Sequence, residues 1–173
     1  MAIKIIEIKA KARNIEKVKS VLSEKQADFK GVDHQVDTYF RVSKGRLKLR
    51  EGTIENTLIH YHRPNQAGPK KSEVTLYRPQ PDAALKSVLT EALGVLTIVD
   101  KKRAIYFINN VKFHIDEVKH LGHFIEIEAI DEEGTIGEAS LLEQCERYIS
   151  LFGIDENDLL KNSYSDMMLG EKV

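Results

Sequence analysis

The feature that most constrains this chain is a strand-like alternation of charge with aliphatic bulk. In the segment GRLKLRE (residues 45–51), Arg46, Lys48 and Arg50 alternate with Leu47 and Leu49. In an extended chain successive side chains point to opposite faces, so three cations share one side and two leucines the other. The pattern recurs. Glu7, Lys9 and Lys11 alternate with Ile6, Ile8 and Ala10; Lys112, His114 and Asp116 alternate with Val111, Phe113 and Ile115; Glu126 and Glu128 alternate with Ile125 and Ile127. Lys101 and Arg103 form a further pair, with Lys102 on the opposite side. Each set therefore has one ionisable and one apolar face.

Between these segments the sequence writes helices. Asn14 caps an apolar repeat of Ile15, Val18, Val21 and Leu22 that runs to Gly31, and Asp82 precedes Leu85, Val88, Leu89 and Ala92, closed by Gly94. A third repeat, GEASLLEQCERYISLFG, ends at Gly153, and SYSDMML predicts a short helical turn. Strands grouped in meanders, each group with a helix, indicate an α+β fold rather than a parallel βαβ sheet. Amphipathic helices on the apolar outside of a curled sheet would turn the ionisable faces inward, toward the axis of a closed or nearly closed antiparallel β-barrel. The alternative is a sheet whose polar side faces water, with cations and acids paired across strands.

The 26 Lys plus Arg and 27 Asp plus Glu give a formal net charge of -1, which disfavours non-specific attraction to nucleic acid or to an anionic membrane. Cys145 is the lone cysteine and sits at a core position of the third helical repeat, which argues against a disulfide or a thiolate metal site. An amino terminus broken by charges, with no apolar run of membrane length, suggests a cytoplasmic protein, and the 173 residues fit a single domain over 1–173.

Enclosed cations need an anion, and phosphate suits Arg and Lys. A polyphosphate would use them together, and Glu7, Asp116, Glu126 and Glu128 would then be ligands for Mg²⁺ or Mn²⁺ shared with it.

The order EIKAK, VDTYFRVSKGRLKLRE, LIHYHRPNQAGPKKSE, VDKKRAIYFINNVKFHIDEV, LGHFIEIEA, SYSDMML resembles the CYTH superfamily, the triphosphate tunnel proteins that group class IV adenylate cyclases with thiamine and inorganic triphosphatases. The resemblance implies a metal-dependent enzyme on ATP or another triphosphate, most similar to the class IV adenylate cyclases. A triphosphatase and a non-catalytic nucleotide or polyphosphate binder are the alternatives, and assembly into a homodimer is left open. It implies phosphate contacts at Lys9, Lys11, Arg46, Lys48, Arg50, Arg63, Lys70, Lys101, Arg103 and Lys112. It implies metal ligands at Glu7, Asp116, Glu126 and Glu128, with Glu128 and Asp116 in catalytic roles. In LIHYHRP the YxRP pattern puts Tyr61 and Arg63 inside and His60 and His62 outside. Tyr164 and Asp166 either close the tunnel or cap a helix. The family's opening ExExK motif is matched by Glu7 and Lys9, but Ile5 stands where its first glutamate is expected.

Overall fold

The computed structural model describes residues 2–170. Eight strands, β1 (Ile3–Lys11), β2 (Asp28–Phe40), β3 (Arg46–Gly52), β4 (Asn56–His62), β5 (Lys70–Tyr77), β6 (Val95–Ile108), β7 (Val111–Val118) and β8 (Gly122–Asp131), form a closed barrel in the order β1-β5-β4-β3-β2-β6-β7-β8. Every neighbouring pair is antiparallel. The helices are α1 (Ile15–Glu24), α2 (Ala83–Leu93), α3 (Glu138–Phe152) and a short α4 (Tyr164–Met168). None of the described helices is long and apolar enough to cross a membrane.

The main hydrophobic cluster lies outside the barrel. Ile6, Ile8 and Ala10 of β1, Phe113 and Ile115 of β7 and Ile125 and Ile127 of β8 pack against Val18 and Leu22 of α1 and Leu141, Cys145, Tyr148 and Phe152 of α3. Phe113 meets Tyr148 and Phe152 edge-on, with ring centroids 4.7 and 5.6 Å apart, the geometry that aromatic quadrupoles favour. Because α1 and α3 take the apolar faces of β1, β7 and β8, the charged faces of those strands turn inward. In β7 both sides are buried: Val111, Phe113 and Ile115 in the core, Lys112, His114 and Asp116 toward the axis.

Two helical expectations are corrected. The first helix stops at Glu24, not near Gly31: Gln26 adopts φ 55°, and the amides of Gln26 and Ala27 donate to the carbonyls of Ser23 and Leu22 in a Schellman closure. Gly31, at φ 116°, instead lies in β2 where the register with β6 shifts, a bulge that glycine tolerates. The apolar stripe of α2 is only partly covered: the helix touches β2 but has no buried residue, and Val88 is 63% exposed. It connects β5 to β6, which are separated in the barrel by β4, β3 and β2, so its course is set by that crossing.

The segment after α3 closes one barrel end. The Leu160 amide donates to the Lys9 carbonyl at 2.8 Å, and Ala10 bridges Leu159. A capping box of Ser163 and Asp166 starts α4, whose first residue, Tyr164, is buried against Phe124 with ring centroids 5.1 Å apart.

Candidate functional site

Inside the barrel is a cavity of about 470 Å³ with two chemically distinct regions. Toward the start of β1 it is lined by Ile3, Ile5, Ile59, Val74, Leu76, Phe107 and Ile130. The register continues from there into a charged region, where Glu7 faces Glu128 and Lys9 faces Glu126 across β1 and β8. Lys48, Arg50, Arg63, Lys101, Arg103 and Lys112 complete it, and Ser163 and Tyr164 lie at its far end. The ionisable faces are therefore enclosed: Lys101 is 2% exposed, Arg103 3% and Arg50 6%.

Most of these cations are held in place by an acid inside the barrel. Asp37, opposite Arg50 on the paired strand, accepts from Arg50 Nε at 2.9 Å and Nη2 at 2.8 Å and from Lys101 Nζ at 2.7 Å, with Lys48 Nζ 3.6 Å away. Burial alone would raise the Asp37 carboxyl, but Arg50, Lys101 and Lys48 hold it well below the usual carboxylate range. Asp116, opposite Arg103, accepts from Arg103 Nε and Nη2 at 2.8 Å each and from the Tyr164 hydroxyl at 2.7 Å. Arg103 Nη2 also donates to Glu126 Oε1 at 2.6 Å. The Glu55 carboxylate receives Lys112, and Arg63 stands 3.5 Å from Glu7. Such bidentate, hydrogen-bonded pairs fix guanidinium orientation before any ligand arrives.

Glu55 is brought in by its loop. Buried Asp33 accepts from the amides of Ile54 and Glu55 at 2.8 and 2.9 Å and from the Thr53 hydroxyl at 2.9 Å, which folds the β3–β4 turn inward. Gly52 permits it, since a Cβ there would stand 2.7 Å from an Asp33 carboxylate oxygen.

Lys9 has no acid within ion-pair distance and lies instead over the Tyr164 ring, 3.8 Å from its centroid. Burial pulls its ammonium down to about 8, with Glu126 opposing. Lys101 is lowered as well, by burial against the pull of Asp37. Two consequences of opposite sign follow. Between pH 7 and pH 9 the unfolded chain keeps both lysines charged while the folded one sheds protons, so the free protein should gain stability, by up to about 1.4 kcal/mol per pH unit for each proton shed. The affinity of the cavity for an added polyanion should fall over the same range, because two of the cations lining it are being lost. Thermal melts and tripolyphosphate titrations at pH 7, 8 and 9 check both; affinity that stays level would mean that Lys9 and Lys101 do not meet the anion.

The structure brings Glu7, Lys9, Lys48, Arg50, Arg63, Lys101, Arg103, Lys112, Glu126 and Glu128 into one cavity wall. It does not bring four other expected residues there. Lys11 shares the phase of Lys9 but is exposed, at the last residue of β1 beyond the enclosed region. Arg46 is taken by α4: it donates to Ser163 and, at 3.3 Å, to Ser165, and pairs with Asp166 at 3.0 Å. Lys70 spends its ammonium on the carbonyls of Gln66, Leu160 and Lys161 at 2.9, 3.0 and 3.2 Å, tying the closing segment to the barrel. Asp116 is under Arg103, with both carboxylate oxygens engaged by that guanidinium and one of them also by the Tyr164 hydroxyl. Tyr61 and Arg63 face inward, while His60 bonds the Lys44 carbonyl outside; Lys102 is exposed. Asp166 caps α4, and Tyr164 closes the charged end.

Asp37, Glu55 and Tyr39, which lines the cavity with its hydroxyl 3.5 Å from Lys48 Nζ, are not among the sequence expectations. Asp37 and Tyr39 are two apart in DTYF, the same inward phase, so a signal existed; Glu55 is on a turn, where periodicity says nothing.

The residues present fit a divalent cation. One oxygen each of Glu126 and Glu128 and a ring nitrogen of His114 lie within 4.8 Å of one another. Both His114 nitrogens are buried without a hydrogen-bond partner, and burial, reinforced by Arg103, lowers the imidazole so that it is neutral at pH 7. Burial raises the nearby Glu7 carboxyl; Arg63 opposes the rise and Glu128 and Glu126 add to it, a surplus of negative charge that a cation would relieve.

A family model for the CYTH domain matches residues 4–164. The chain belongs to the CYTH domain family. Comparison with curated proteins finds no match. Among solved structures this CYTH chain is similar to the PH1012 protein of Pyrococcus horikoshii, at 24% identity over 96% of this chain and 98% of that one, with a TM-score of 0.74. It is also similar to a Vibrio parahaemolyticus protein provisionally described as an adenylate cyclase (18% identity, 95% and 97% coverage, TM-score 0.73). A third is a provisional adenylyl cyclase from Hippeastrum described as having a dominant triphosphatase activity (12% identity, 100% and 98% coverage, TM-score 0.64). At these identities the likeness is one of fold.

Proposed function

We propose that this CYTH protein is a metal-dependent enzyme acting on a triphosphate that carries an organic group, with ATP converted to cyclic AMP and pyrophosphate as the leading reaction. The observation that carries the reading is the convergence of Lys48, Arg50, Arg63, Lys101, Arg103 and Lys112 with Glu7, Glu126 and Glu128 on one enclosed cavity. A single phosphate could not engage so many cations, whereas a linear triphosphate spans them, and donors preset by Asp37 and Asp116 stabilise charge without reorganising. Arg50 and Arg103 would bind and orient the chain of phosphates, and Tyr164 would exclude water at the closed end. Glu126 and Glu128 would hold Mg²⁺ or Mn²⁺, which when bound neutralises charge on the phosphate oxygens. In the cyclase reaction the ribose 3′ hydroxyl attacks the α-phosphorus and pyrophosphate departs. Glu128 faces the cavity without a described lysine or arginine in ion-pair contact, and the oxygen it does not give to the metal would accept the attacking proton, a part that Asp116 is too occupied to play.

Hydrolysis by an activated water would use the same cradle. The apolar end, with Ile5 where the family's glutamate is expected, favours a substrate with a non-phosphate moiety, ATP or thiamine triphosphate, over inorganic triphosphate. Incubation with each of the three, with Mg²⁺ or Mn²⁺, decides by product: cyclic AMP supports the leading reading, phosphate release replaces it with hydrolysis, and binding without product makes the protein a capture module. Ile5→Thr should weaken ATP binding about 5- to 10-fold, from the lost apolar contact, and leave tripolyphosphate affinity unchanged. Equal weakening of both would show that the organic group lies elsewhere.

A further inference from the structure

His114 is a buried ring of the barrel wall whose chemistry the triphosphate reading leaves unused. It is 1% exposed, on β7 directly opposite Glu126, and both its nitrogens lack a hydrogen-bond partner. Its Nδ1 is 3.9 Å from Glu126 Oε1 and 3.9 Å from Glu128 Oε1, too far for hydrogen bonds. Its other charged neighbours are already engaged: Lys112 with Glu55, Asp116 with Arg103 and Tyr164, and Arg103 with Asp116 and Glu126. Buried polar atoms are almost always satisfied, so an imidazole held in this way beside two carboxylates has an unfilled demand. A divalent cation meets it: ligands bound at about 2.1 Å stand up to about 4.2 Å apart, and 3.9 Å falls within that span.

We infer that His114 is a direct nitrogen ligand which, with Glu126 and Glu128, forms a mixed imidazole and carboxylate site that prefers a transition-metal ion such as Mn²⁺ to Mg²⁺. Mg²⁺ favours all-oxygen surroundings and keeps its waters, while imidazole is a better ligand for the first-row transition ions. The inference rests on the metal-dependent reading for its place in the cavity, yet it concerns the protein and the bare ion, so it stands or falls without substrate.

The probe is Mn²⁺ added to the full chain without nucleotide, followed by pulsed electron paramagnetic resonance for coupling to a ¹⁴N nucleus, with calorimetric titrations of Mn²⁺ and Mg²⁺. Expected are a ¹⁴N modulation of directly bound imidazole and Mn²⁺ affinity about tenfold or more above that for Mg²⁺. In His114→Gln the modulation should vanish, and Mn²⁺ affinity should fall about 10- to 100-fold while Mg²⁺ affinity changes little. Bound Mn²⁺ without ¹⁴N coupling in the wild-type protein would overturn the inference and leave a carboxylate metal site intact. No binding of either ion would overturn it too, and tripolyphosphate binding measured in the same preparation would show whether the phosphate reading survives. If His114→Gln fails to fold, the wild-type ¹⁴N signal decides by itself.

Discussion

Arg103→Ala should lose triphosphate binding by more than 100-fold and lower folding stability by about 3–5 kcal/mol. The size follows from what the guanidinium does. It occupies both oxygens of Asp116 and one of Glu126, and these residues are 1% and 7% exposed. Removing it strands two buried carboxylates, of which Asp116 keeps only the Tyr164 hydroxyl. Arg103→Lys separates charge from geometry. A lysine keeps the cation but lacks the planar fork, so stability should recover in part while triphosphate affinity stays depressed. Denaturant unfolding and calorimetry on both variants provide the check, and wild-type affinity in Arg103→Ala would remove this residue from the site.

The second large effect is expected at Asp37, a residue that need not touch the ligand. Asp37→Asn leaves Arg50, Lys101 and Lys48 without the acid that gathers them and points an amide N–H₂ at donors. The unliganded variant should lose about 3–5 kcal/mol of stability. Tripolyphosphate should then raise its melting temperature by more than it raises that of the wild type, because the anion supplies the missing negative charge. A smaller shift than in the wild type would mean that Asp37 acts mainly by presenting the cations in the right geometry, not by balancing their charge.

Much of this was legible in the sequence, because strand alternation is strict where both faces are buried. The phase that aligned Lys48 with Arg50 and Lys101 with Arg103 also set them inward, and Lys102 outward. Phase does not report where along its strand a side chain leaves the enclosed region, so Lys11 and Arg46 were grouped with neighbours that the barrel treats differently. Nor does it report occupancy: Asp116 is inward and saturated, while Glu128 is inward and available. Glu55 depended on Asp33 folding a turn, and the three-way gathering at Asp37 depended on closure between strands distant in sequence. These are tertiary facts. Ile5, by contrast, was visible as a departure, and only the apolar company of Ile3, Leu76 and Ile130 gives it a meaning.

If the barrel's cations meet one elongated anion, then the face a lysine or arginine occupies, and not its charge alone, must govern binding. Calorimetric titration of tripolyphosphate into wild type, Arg50→Ala, Lys101→Ala and Lys102→Ala measures this directly. The structure predicts losses of 100-fold or more for the two inward variants, on the scale of about 3 kcal/mol for a buried charged contact, and no change for Lys102→Ala. Equal losses in all three would contradict it.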